Sequence, residues 1–82
     1  MSARRIVWHG ETYVTITDAA SCYHVEIVEI QRWVEEDLLE PPRTIEGEPA
    51  IPVAALDRIA RLVHYSRVLG LDCGAMHLVL RR

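Results

Sequence analysis

The feature that most limits the fold is an acidic amphipathic stretch closed by two prolines, running from Tyr23 to Pro42. Ile27, Ile30, Val34 and Leu38 recur three or four residues apart, with Trp33 beside Val34. That spacing predicts a helix with one apolar face docked on a core. Its other side carries Glu26, Glu29, Glu35, Glu36 and Asp37, relieved within the helix only by Arg32. Leu38-Leu39 leads into Glu40-Pro41-Pro42, which a helix cannot cross. Everything else must pack around this short, negatively charged rod.

The flanking segments suggest how. Residues 1–3 are expected to fray. Ile6 and Trp8 alternate with polar or small neighbours, as do Val14 and Ile16 beyond His9-Gly10-Glu11-Thr12. This predicts a β-hairpin with one buried face, Trp8 and Ile16 lying against the helices. Thr17 is the expected N-cap of a first short helix, with Asp18 in its first turn and small Ala19 and Ala20 allowing close approach. The next turn falls at Tyr23-His24-Val25. His24 stands where a glycine often supplies positive φ.

After Pro42 a second hairpin is expected. Thr44-Ile45 forms one arm, Glu46-Gly47 the tip and Ala50-Ile51 the return, with Pro49 restricting that return to a sheet edge. The longest helix should then span Val53 to Leu69. Leu56, Ile59, Ala60, Leu62 and Val63 would be buried, and Asp57, Arg58, Arg61 and Arg67 would face water. Gly70 fits a left-handed cap. Asp72 could cap a final helix through Leu80, with Leu71, Ala75, Leu78 and Val79 as core candidates. The expected fold class is mainly α with short β-hairpins: a winged helix-turn-helix of about four helices in one domain, residues 1–82.

Charge bears on function. All nine basic residues are Arg, and the net charge is −3. Duplex DNA binding depends on cations that displace counterions from phosphates. From Glu26 to Glu48 the chain instead offers eight carboxylates against Arg32 and Arg43. The positions that would enter a major groove are Glu26, Ile27, Glu29 and Ile30, none suited to reading bases. Nucleic acid is therefore an unfavoured partner.

Cys22 and Cys73 fit no metal or redox motif and are expected to be free, buried small side chains in a reducing cytoplasm. No apolar run approaches the roughly 18 residues of a membrane span. His9, His24, His64 and His77 lack metal-ligand spacing, and Cys22 and His24 have no third group to orient them. No catalytic residue, metal or cofactor is expected.

Thr15-Ile16-Thr17-Asp18-Ala19-Ala20, Leu38-Leu39-Glu40-Pro41 and the Gly47 hairpin together resemble a MerR-like winged-helix head. A closer likeness lies in the run from Arg58 to Met76, with Arg61-Leu62 followed by Leu69-Gly70-Leu71-Asp72 and Gly74-Ala75. Combined with Asp37-Leu38-Leu39-Glu40-Pro41, it is similar to the CbpM chaperone modulators, including their short DafA-type members. The resemblance covers roughly residues 12–80. It implies a non-enzymatic protein that binds the J-domain of a DnaJ-like co-chaperone and blocks or assembles its complex with DnaK. The contact set expected on this basis is Glu26, Glu29, Arg32, Trp33, Glu36 and Asp37. The acids would attract the basic J-domain helix, while Arg32 or an exposed edge of Trp33 would anchor it, although the helix pattern places Trp33 in the core more readily than at a contact. Asp37 and His24 replace glycines of the family pattern. The chain also ends at Arg82, where family members continue into a longer pairing helix; a homodimer is compatible with the sequence but is not expected to form that way. The alternative function is a minimal MerR-type DNA-binding regulator.

Overall fold

Two tight turns set the architecture. His9 and Gly10 have φ of 51° and 79°, and Glu46 and Gly47 have 53° and 81°. Paired positive φ values mark the type I′ turn, whose twist matches that of the strands it joins. Each turn therefore closes a two-residue hairpin. The first joins β1 (Arg5–Trp8) to β2 (Glu11–Thr15), and the second joins β3 (Arg43–Ile45) to β4 (Glu48–Pro52). The protein is seen here as a computed structural model that describes residues 5–80. The expected fraying of residues 1–3 lies outside them.

The two hairpins are one sheet. β2 pairs antiparallel with β4 through Tyr13–Pro52, Val14–Ile51 and Thr15–Ala50, so the strand order is β1-β2-β4-β3. Four short helices accompany it: α1 (Ile16–Tyr23), α2 (Ile27–Glu35), α3 (Leu56–Val63) and α4 (Cys73–Leu80). This overturns the expectation of a mainly α, MerR-like winged helix-turn-helix. The fold is a mixture of β-hairpins and helices built on a four-stranded antiparallel sheet. The missing signal was the β2–β4 pairing, which joins residues nearly forty apart and leaves no local periodicity.

Pro49 contributed to the error, because proline usually excludes a central strand. Here the register removes the conflict. In a two-residue hairpin Ile45 and Glu48 exchange the closing hydrogen bonds, so Pro49 turns its nitrogen away from β3. On that side β2 has already ended at Thr15, opposite Ala50. Pro52 turns its nitrogen toward β3 at a level that β3 does not reach. Neither missing N–H had a partner to lose.

The central strands β2 and β4 bury side chains on both faces of the sheet, by different means. Val14 and Ile51 point into the main core with Ile16, Ala19, Ile30, Trp33, Leu38, Ile59, Leu62 and Met76. The alternate side chains Tyr13 and Ala50 form a second cluster with Ile45, flanked by Ile6 and Trp8. Trp8 therefore lies on the far face rather than against the helices. There it meets Tyr13 edge-on at 5.9 Å, and the Arg43 guanidinium sits 4.9 Å over its ring.

Several boundaries also shift. Ile16 opens α1 instead of extending β2, and the N-cap is Thr15, whose Oγ1 accepts from the Asp18 N–H at 3.1 Å. The long helix expected over 53–69 is three segments: a 3₁₀ turn at Val53–Ala55, then α3, then a π-helical stretch at His64–Val68. Arg58 does not simply face water, because its Nε donates to the Leu38 carbonyl at 2.9 Å. In α4 the buried residue is Met76, whereas Leu78 and Val79 are exposed. Asp72 does cap this helix, its Oδ1 accepting from the Ala75 N–H at 2.8 Å.

Candidate functional site: the acidic flank of α2

Helix α2 is held at both ends by its own chemistry. At the start, the Glu29 carboxylate accepts from the Glu26 backbone N–H at 3.3 Å, half of a capping box. At the end, Asp37 takes a left-handed φ of 64°. The Leu38 N–H then reaches back to the Trp33 carbonyl at 2.8 Å, and the Asp37 N–H to that of Val34 at 3.1 Å. These two bonds are the Schellman pattern, with the buried pair Trp33 and Leu38 as its hydrophobic contact. Helix α1 ends the same way around His24, at φ 55°. Both departures from glycine thus stand at left-handed helix stops.

Helical spacing sorts the six expected contact residues. Glu29, Arg32 and Glu36 are three and four apart and share one flank, with Glu26 before them and Asp37 after. Glu26, Arg32, Glu36 and Asp37 are exposed. Glu29 is half-buried and already engaged, its Oε1 lying 3.4 Å from Arg67 Nη2 in the π segment. The expectation of an exposed Trp33 edge is corrected. At 3% exposure the indole belongs to the core, and it fixes the helix from behind. Trp33 can set where the flank sits but cannot be touched from outside.

The end of α2 is also tied to distant elements. His77 of α4 donates from Nε2 to the Glu36 backbone carbonyl, and Arg58 holds the Leu38 carbonyl. The Glu36 carbonyl left over at the helix C-terminus, and the Leu38 carbonyl just beyond it, are thereby satisfied by donors from other elements. Nothing in residues 70–80 of the sequence signals the His77 link.

Arrangements for chemistry are sparse. Cys22 is exposed and Cys73 half-buried, both as free thiols, against the expectation that both lie in the core. Among the described residues no three His, Cys, Asp or Glu side chains converge on a possible metal position. Among the described residues no helix is long and apolar enough to cross a membrane. No family model, curated protein or solved structure matches the chain. What the geometry offers is a flank of exposed carboxylates, Glu26, Glu36 and Asp37, with one exposed guanidinium, Arg32.

Proposed function

We propose that this chain is a non-enzymatic modulator that binds the J-domain of a DnaJ-like co-chaperone through the acidic flank of α2. By occupying that domain it regulates the DnaK–DnaJ pair or assembles it, and the bacterial cytoplasm is where it would act. The carrying observation is the set of exposed carboxylates, Glu26, Glu36 and Asp37, on a helix whose ends are fixed. The resemblance over residues 12–80 supplies the partner, and charge supplies the reason. A cationic helix is steered toward such a surface, which orients encounter more than it adds affinity.

DNA is the poorer fit. At the start of α2 the side chains are Glu26, Ile27, Val28 and Glu29, and Glu29 already occupies Arg67. Phosphate contacts there would be repulsive.

Size-exclusion chromatography tests the reading. Mixed with the purified J-domain protein, the chain is expected to co-elute with it. When DnaK is added, a three-component peak supports assembly and exclusion of DnaK supports competition. Separate elution from the J-domain protein, together with retention on duplex DNA at physiological salt, would overturn the proposal in favour of a DNA-binding regulator.

A further inference from the structure

The other flank of α2 has a different character. Ile27, Gln31 and Val34 follow the same three-and-four spacing on the side away from Glu29 and Glu36, with Glu35 at its edge. Between this flank and the prolines Pro42 and Pro49 lies an open groove of about 520 Å³, floored by Ile30 and bounded by the start of α1. Its lining is mostly apolar. Among the described residues that line it, Glu35 carries the only charge.

Two further observations indicate what could fill it. Ile27 is 40% exposed and Val28 60%, so apolar surface continues out of the groove along the helix. That is more than a small molecule in one pocket would cover, and it fits side chains presented by a helix or strand. The neighbouring cations are also committed elsewhere. Arg43 lies over Trp8 on the far side of the sheet, Arg58 is bound to the Leu38 carbonyl, and Arg67 is paired with Glu29. Arg32 stands three residues before Glu35 but makes no ion pair with it among the described residues. Glu35 thus forms the charged rim of an apolar slot and is paired with no cation among the described residues. Pro42 and Pro49 make one wall stiff, so little ordering entropy is lost when it is covered.

We propose that this groove receives the apolar side chains of a cationic amphipathic segment of a protein partner, with a Lys or Arg of that segment set against Glu35. The identification of that segment with the J-domain rests on the function proposed above; the groove and its complement do not. The binding surface then includes Ile27, Gln31 and Glu35 beside the acidic flank, whose Glu36 side guides the encounter.

The test is nuclear magnetic resonance on the isotope-labelled chain, titrated in parallel with a purified J-domain and with a helical leucine–lysine peptide. The expected result is movement of the Ile27 and Val34 methyl signals and the Gln31 side-chain amide with both ligands. Ile27→Gln and Glu35→Arg should each weaken binding about tenfold, while melting temperatures stay near wild type. Glu35→Gln, which keeps the shape, should show an intermediate loss. If the J-domain binds but its shifts lie around Glu36 and the groove variants bind normally, the groove is overturned and the J-domain reading survives. If only the peptide binds, and in the groove, the groove stands and the J-domain reading fails. If neither ligand moves these signals, the groove is overturned.

Discussion

At the residue scale, the chain tolerates left-handed backbone where glycine would be cheaper. Asp37 and His24 stop their helices at φ of 64° and 55°, and His9 and Glu46 open the two hairpin turns at similar angles. A left-handed conformation costs a non-glycine residue roughly 1–2 kcal/mol, partly offset by glycine's larger unfolded-state entropy. Asp37→Gly should therefore raise stability by about 0.5–1 kcal/mol, read from urea unfolding. It should also weaken J-domain binding, because a carboxylate leaves the acidic flank. A stabilised protein with full affinity would remove Asp37 from the contact set. Thr15→Ala removes the acceptor for the Asp18 N–H and should cost about 1 kcal/mol in the same measurement. Thr17→Ala, at the exposed position where the sequence placed the cap, should cost much less.

The element scale shows how far local patterns reach. Helix α2 and both hairpin tips were legible, because the apolar spacing and turn residues that form them lie within a few positions of one another. The helix stops at Asp37, before Leu38 and the prolines that were expected to end it. The sheet was not, because β4 looks like an edge until its partners are known. This topology makes a sharp prediction about two adjacent residues. Pro49→Ala should change stability by less than about 1 kcal/mol, since no strand faces that nitrogen. Ala50→Pro should cost more than about 2 kcal/mol, because Ala50 is fully buried and paired with both Arg43 and Thr15. Equal effects in thermal or urea melts would contradict the strand order.

The π-helical stretch is a further element that periodicity could not show. A period of 3.6 continues plausibly from Val53 to Leu69, yet the backbone widens at His64 and closes with the Leu69 N–H on the His64 carbonyl at 3.3 Å. Arg67 of this stretch is the residue that meets Glu29. Arg67 is exposed and Glu29 only half-buried, so the pair's worth to stability is small. Its larger effect is on charge, since it offsets one carboxylate of the acidic flank.

For the whole molecule, the question is where the net charge of −3 is felt. Glu36→Arg reverses an exposed charge whose side chain no other described residue holds. It should weaken J-domain binding about threefold to tenfold, chiefly by slowing association, with little change in melting temperature. Added salt should weaken the wild-type complex more than the variant, because screening acts on the same steering field. Stopped-flow association at two salt concentrations checks both expectations. A salt-independent association rate would show that charge does not guide the encounter.

By itself the sequence determined that the chain would form short amphipathic helices, two glycine-assisted turns and a strongly acidic central segment. Each of these follows from side chains acting on backbone within one or two turns. The tertiary structure alone decided that the hairpins would share a sheet, that Trp33 would be enclosed, and that Glu29 would be taken by Arg67. It also decided which flank of α2 opens as a groove. Those outcomes depend on contacts between residues far apart in the chain, whose free energy exists only once the core has closed around them.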